Sequence, residues 1–344
     1  MKAMMLTGIR MMEMQDVPDP EITRPLDVKI KMLVLGICGS DIHYYTQGQI
    51  GSQKVEYPFP VGHEGAGIVI ETGSAVTRVK TGDKIAIEPA MPCWECDQCL
   101  TGRHHTCRKL KFLGCPGQAD GCLTEYIVMP ETSCFPLTEN LTPDHGSISE
   151  PMAIGIYAVK KSGGVTGKKI GILGFGPIGM SVMLASKAEN ASAFYVTDKI
   201  EERLAIAQTE GATLTGNPNR EDIVRKILQD EKTGLDIVYE CCGQQEAFDQ
   251  AVDLLKPGGK LVVVGIPEFE RWSMNVENTR RKEISLQFIR RQVDCVETAL
   301  ELMETGRIKI NNMVTHRFPF NKTKEAFDLV ASYDDGVMKA MVDF

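Results

Sequence analysis

At 344 residues the chain exceeds the size at which a single hydrophobic core usually stops growing, so two domains are expected. Hydrophobic residues at 43% and charged residues at 24% are ordinary globular values, while a formal charge of −8 without a basic stripe argues against nucleic acid.

Residues 1–20, MKAMMLTGIRMMEMQDVPDP, hold no long apolar core and no small-residue cleavage site, so no export signal is read and a cytoplasmic location is expected. Up to about residue 152 short β-type runs alternate with Gly and Pro: 28–35, 67–71, 84–87 and 126–129. That texture predicts an irregular β-rich domain. From Lys169 apolar runs alternate with helical stretches: strands at 169–173, 193–197, 236–240, 260–264 and 284–289, with helices from Pro177, Ile200 and Gln244. Strict alternation predicts a parallel sheet with crossover helices, hence an α/β chain. After about residue 292 come a helical stretch, the segment MVTHRFPF, a helix from Thr323 and a strand-like tail at 340–344, expected to return to the first domain. The longest near-continuous apolar run, 170–185, is interrupted by four Gly, a Pro and a Ser. It falls short of the ~18 residues of a membrane span, so no membrane partner is expected.

Residues 169–179, KIGILGFGPIG, run an apolar strand into Gly174-x-Gly176-x-x-Gly179 and a helix. Glycines there permit the tight turn, the approach of a pyrophosphate and close helix–strand packing, and the helix start offers free N–H groups, with Pro177 and Ile178 inside the loop. A second strand, AFYVTD, ends in Asp198, whose carboxylate can accept from both ribose hydroxyls of NAD and repel the 2′-phosphate of NADP. The plainer role open to Asp198 is capping the helix that begins near Lys199.

Eleven Cys without an export signal are expected to stay reduced, so clustered ones read as metal ligands. Cys93-x-x-Cys96-x-x-Cys99-x7-Cys107 supplies four thiolates, enough to close a tetrahedral shell and mark a structural zinc. An iron–sulfur cluster is the more distant alternative, and His104 and His105 read as loop residues of the lobe. A second set is scattered: Cys38, Ser40 and His43 in GICGSDIHYY, His63 and Glu64 in GHEGAG, and Glu150 in SEPMAIG. Thiolate, imidazole and carboxylate with room for one more ligand make an open, Lewis-acid zinc site, so two zinc ions per chain are expected. Ser40 could instead cap a helix starting at Asp41, with His43 a surface residue.

These motifs resemble the zinc-containing medium-chain dehydrogenase/reductase family over essentially the whole chain. Its zinc signature stands as Gly62-His63-Glu64-x-x-Gly67-x5-Gly73-x-x-Val76, beside the four-Cys lobe and the glycine loop. Within the family the chain is most similar to the sorbitol, or polyol, dehydrogenase branch, which carries CGSD-x-HYY, GHE, EP-x-x-x-G and a late THRFP; here these are 38–45, 62–64, 150–155 and 315–319. One departure is FIRRQ, with Arg290 and Arg291, where that branch has an aromatic and a single Arg.

The resemblance implies a GroES-like catalytic domain from 1–152 and 292–344, with the zinc lobe at 90–110, and a Rossmann NAD-binding domain of doubly wound parallel sheet from 153–291. It implies a catalytic zinc on Cys38, His63 and either Glu64 or Glu150, in a cleft between the domains, and a proton relay through Ser40 and His43. Metal there lowers the pKa of the substrate hydroxyl, and hydride passes from its carbon to the nicotinamide. Cofactor contacts are implied for Arg203, Cys242, Gly265 and Ile266, and substrate contacts for Tyr45, with Tyr44 beside it, and for Arg290 and Arg291. The expected substrate is a small-molecule polyol and the expected assembly a homo-oligomer, tetramer or dimer. The rivals are a sugar-phosphate or threonine-type dehydrogenase and, from another class, a non-catalytic zinc-ribbon binding module.

Overall fold

In the strand Asp27–Gly36, Val28, Ile30, Met32 and Val34 are buried at every second position while Lys29 and Lys31 turn outward, the period-2 pattern of a half-buried strand. This strand organises the first of two units in the computed structural model, which describes residues 1–344. The unit comprises Met1–Glu150, Val296–Gly306 and Val314–Phe344. Its seven-stranded sheet runs Cys134–Pro136, Lys84–Ile87, Glu64–Thr72, Asp27–Gly36, Lys339–Asp343 and Val314–Pro319, with Tyr126–Pro130 also pairing Asp27–Gly36. The C-terminal tail therefore enters this sheet: Met341 stands opposite Gly36 in antiparallel register. The same central strand pairs antiparallel with Glu64–Thr72, setting Gly36 opposite Glu64.

The second unit, Pro151–Cys295 and Arg307–Met313, holds a six-stranded sheet whose pairs are all parallel. From one edge the strands are Leu214–Gly216, Ala193–Thr197, Lys169–Leu173, Leu235–Glu240, Leu255–Val263 and Ser285–Phe288. Chain order thus reverses between Lys169–Leu173 and Leu235–Glu240, the switch point of a doubly wound sheet, where strand ends receive ligands. Ile170, Ile172, Ile237 and Val238 are all buried, as strands covered on both faces require.

Some elements differ from the sequence pattern. The helix Pro143–Ser162 is masked by Pro151, which reads as a breaker yet sits inside it. Leu214–Gly216 and the helix Ile223–Asp230 are too short to show a period. No helix is long and apolar enough to cross a membrane.

Candidate active site and metal centres

The four-Cys lobe is built from local turns. Cys96 precedes the one-turn helix Asp97–Leu100, whose backbone carries Cys99 round beside it, and a 3₁₀ turn, His104–Thr106, returns Cys107. Sulfur–sulfur distances are 3.4 Å for Cys93–Cys107, 3.6 Å for Cys96–Cys99, 3.9 Å for Cys96–Cys107 and 4.0 Å for Cys93–Cys99. A tetrahedron with ~2.3 Å metal–sulfur bonds has edges of about 3.8 Å, so these thiols fit zinc. The N–H groups of Cys93 and Lys109 both donate to Cys107 Sγ at 3.3 Å, as thiolate ligands invite. Backbone donors lower Cys96 to about 6, whereas burial and neighbouring thiols push Cys99 up to about 12. A metal would bind these sulfurs as thiolates and displace their protons. The His104 ring lies tilted against Trp94, centroids 4.9 Å apart, and neither it nor His105 belongs to the metal-competent group.

The second group is assembled from distant segments. Cys38 follows the strand Asp27–Gly36 and occupies the N-cap of the helix Gly39–Gln47, while His63 and Glu64 open the neighbouring strand. Ligand atoms of Cys38, His63 and Glu64 lie within 4.8 Å of one another. Glu150 stands outside that set, buried on the helix Pro143–Ser162. Burial, with Glu64 and Asp41 adding to it, pushes its carboxyl up to about 7 against the pull of His63 and Lys339.

Three residues beyond the expected ligands and relay hold this group. Asp41, fully buried, accepts from the N–H of Cys38 at 3.1 Å and of Gly62 at 3.2 Å, and faces His63 Nδ1 at 3.4 Å. It thereby orients the imidazole and leaves the other ring nitrogen for a ligand. Burial works to lower His63, but Asp41 and Cys38 outweigh it and raise the imidazole well above its ordinary value. Gly36 is required by contact: a Cβ there would lie 2.4 Å from Glu64 Oε2. Lys339, on the last strand, is 2% exposed and donates to both Glu64 oxygens, at 2.8 and 2.5 Å, and to the Ile37 carbonyl at 3.0 Å. The Asp in CGSD, three residues after Cys38, is the sequence signal for Asp41; Gly36 and Lys339 depend on strand register.

Two expectations need correction. The helix after Cys38 starts at Gly39, with Cys38 as N-cap and Asp41 completing a reciprocal cap, so Ser40 sits inside the first turn and does not cap it. Its hydroxyl donates instead to Cys38 Sγ at 3.3 Å. Tyr45, the implied substrate residue, turns into the core: it is fully buried, its hydroxyl donates to Asp328 Oδ1 at 2.6 Å and lies 3.1 Å from the Arg10 carbonyl, and its ring packs on Phe327. Tyr44, about 100° away around the helix, has its hydroxyl near Gln53 Oε1 at 3.4 Å and Cys115 Sγ at 3.7 Å. Phe112 packs its ring 5.4 Å from His63.

In the second unit Gly174 has φ +92°, and a Cβ on Gly179 would strike the Gly174 carbonyl at 2.1 Å, so the turn and the helix Pro177–Ala188 need both glycines. Gly176 is the N-cap of that helix, with Pro177 and Ile178 opening it, and no side chain caps it. This leaves the helix start as a seat for a phosphate. Asp198 Oδ2 accepts from Phe175 N at 2.6 Å and Oδ1 from Ile200 N at 2.9 Å, tying the glycine loop to the next helix start. Arg203 brings its guanidinium to 3.4 Å from the Cβ position of Gly176. Cys242 and Ile266 are exposed, Gly265 lies between its loop and that of Cys242, and the segment after Ser285–Phe288 carries exposed Arg290 and half-buried Arg291.

Residues 24–139 match the family profile described as an alcohol dehydrogenase GroES-like domain, and residues 177–305 that of a zinc-binding dehydrogenase. Sorbitol dehydrogenase of Bacillus subtilis strain 168 is 33% identical over 343 residues, 99% of this chain and 97% of its own. Among solved structures, an oxidoreductase/dehydrogenase of unknown specificity from Escherichia coli superposes with a TM-score of 0.94 at 31% identity, covering 99% of this chain and 98% of its own. A zinc-binding dehydrogenase from Sinorhizobium meliloti 1021, bound to NADP, superposes with a TM-score of 0.90 at 30% identity over 100% of this chain and 99% of its own.

Proposed function

Because the chain belongs to the zinc-containing medium-chain dehydrogenase/reductase family, we propose that it interconverts a secondary alcohol of a polyol and the corresponding ketose, with NAD as hydride carrier. The observation that carries this reading is the convergence of Cys38, His63 and Glu64, two of them buried, beside a closed four-thiol lobe. Zinc held by the first group supplies a Lewis acid, and NAD on the glycine loop supplies the hydride acceptor. Everything else is the work of side chains. Asp41 fixes the imidazole of His63, and Lys339 and Gly36 fix the carboxylate of Glu64. Glu64 is the third ligand on this reading, with Glu150 a second carboxyl beside it.

Ser40 and His43 share one face of a helix turn, and Ser40 Oγ already touches the Cys38 thiol. From there Ser40 Oγ would accept the substrate hydroxyl proton as it releases its own along the relay, with His43 as the group that passes a proton toward solvent. Tyr44 and Gln53 carry the hydroxyl and amide groups that would suit vicinal hydroxyls. Asp198 disfavours a 2′-phosphate by charge. A second copy of the chain suits the free outer edge of Ser285–Phe288, where Leu286 and Phe288 are exposed, and eleven free cysteines suit a reducing compartment such as the cytoplasm.

The test is a set of specificity constants with NAD and NADP for sorbitol, xylitol, a hexitol phosphate, threonine and a simple secondary alcohol. Polyol with NAD should come first. A dominant phosphate substrate, lost on Arg290→Ala or Arg291→Ala, would replace the polyol, and equal use of NADP would overturn the role of Asp198.

A further inference from the structure

In the parallel-sheet unit the starts of Ile223–Asp230 and Val276–Arg281 are capped by side chains, while those of Pro177–Ala188, Glu201–Thr209 and Gln245–Leu254 carry no side-chain cap on their first-turn N–H groups. Asp222 accepts from Arg225 N, Asn275 from Asn278 N, and Asp198 from Ile200 N. The loop that enters the helix Gln245–Leu254 is met by Glu240, the last residue of the strand Leu235–Glu240. One of its oxygens, Oε1, accepts from three consecutive N–H groups leading into that helix: Cys242 at 2.8 Å, Gly243 at 2.6 Å and Gln244 at 3.4 Å. Glu240 is fully buried, and its second oxygen, Oε2, is sealed from solvent without a hydrogen-bond partner. Burial raises this carboxyl, and the N–H donors pull it back.

The neighbours of Glu240 are strand-end loops in mutual contact. A Cβ on Gly265 would lie 2.2 Å from Gly243 N and 2.7 Å from Glu240 Oε2, and one on Gly243 would lie 2.4 Å from the Ile266 carbonyl. A Cβ on Gly174 would lie 2.7 Å from Cys242 Cβ. Glu240 thus sits where three loops interlock: 241–244, 264–267 and the glycine turn at 174. The backbone of Glu240 adds to this, its carbonyl accepting from Val264 N at 2.8 Å and Gly265 N at 3.0 Å. These are strand ends on the side of the sheet where open α/β folds receive a dinucleotide.

We infer that Glu240 is a positioning residue for the dinucleotide: its carboxylate fills the run of N–H groups at 242–244 and locks the two strand-end loops against Gly174. This rests on the assignment of the cofactor to the glycine loop. Two consequences follow. An anion at the strand ends finds the N–H groups of 242–244 already taken from within, while the start of Pro177–Ala188 on the glycine loop carries no side-chain cap. Removing the carboxylate strands the buried N–H of Gly243 and the part-buried ones of Cys242 and Gln244, loosens the loops and opens a cavity of carboxylate shape.

The experiment measures NADH dissociation constants by fluorescence, thermal midpoints, and KM and kcat separately for native chain, Glu240→Gln and Glu240→Ala, with and without formate. Glu240→Ala should weaken NADH about ten-fold and raise KM for NAD, while kcat at saturating NAD and KM for the polyol stay near native. Formate, a free carboxylate, should restore both NADH affinity and thermal midpoint in Glu240→Ala and leave native chain unchanged. Glu240→Gln keeps an acceptor at Oε1 and should bind NADH within about three-fold of native. Native-like NADH binding by Glu240→Ala, or a loss that formate does not reverse, would overturn the inference. If Glu240→Ala does not fold, Glu240→Asp decides, since its shorter side chain withdraws the acceptor from 242–244: about ten-fold weaker NADH supports the role and near-native affinity defeats it. Failure of the native chain to bind NADH would defeat the cofactor assignment instead, and formate rescue of the Glu240→Ala thermal midpoint would then still report on the filled loop.

Discussion

The lobe at 93–107 and the group around Cys38 are both competent for zinc, yet they are built in opposite ways. The lobe takes four like ligands from one short segment, partly exposed, with the sulfurs already at the edges of a tetrahedron. The Cys38 group takes three unlike ligands from two strand ends, buries His63 and Glu64, and relies on Asp41, Gly36 and Lys339, with Lys339 arriving from the far end of the chain. A closed thiolate shell leaves no room for substrate and returns its binding energy as stability, whereas three ligands held by outside partners leave a position for chemistry.

Ligand substitutions should separate the two most sharply. Cys38→Ser should take turnover below detection while NADH fluorescence titration and the thermal midpoint stay near native; a Cys38→Ser chain that turns over would erase the distinction. Cys99→Ser should do the reverse in kind, lowering the thermal midpoint by about 10 °C as the lobe loses its metal, an effect read by calorimetry. Next in size is Asp41→Asn, which keeps shape but weakens the hold on His63. Competition with a chromogenic chelator should show about 10- to 100-fold weaker binding of the exchangeable zinc and no change at the lobe. Smallest is Arg108→Ala, which removes an exposed pair with Asp97 at the lobe rim. Exposed pairs contribute little, so the thermal midpoint should move by less than about 2 °C, and a larger drop would mean that ion pairs, not thiols, hold the lobe.

Local and long-range construction also differ in how legible they are in the amino-acid sequence. Spacing alone reveals Cys93, Cys96, Cys99 and Cys107, because their geometry is set by turns a few residues long. The strands Lys169–Leu173 and Ala193–Thr197 and the glycine turn are legible for the same reason, since strand, Gly and helix start follow one another in the chain. Lys339 and Glu64 are 275 positions apart and meet only because Lys339–Asp343 and Glu64–Thr72 flank the same strand, a matter of register that no local pattern encodes. Tyr45 misleads for a smaller reason: neighbours on a helix point about 100° apart, so the second Tyr of HYY turns into the core against Phe327 while Tyr44 takes the side facing Gln53 and Cys115. Pro151 conceals a long helix by resembling its end.

On the proposed function one chain carries a closed zinc site for stability and an open one for catalysis. Metal content of purified protein, measured before and after dialysis against a chelator and again in Cys38→Ser, tests it most directly. About two zinc per chain should fall to about one as activity disappears, with the fold retained and Cys38→Ser starting at about one. A single zinc that survives dialysis and is untouched by Cys38→Ser would mean that the Cys38 group holds no metal.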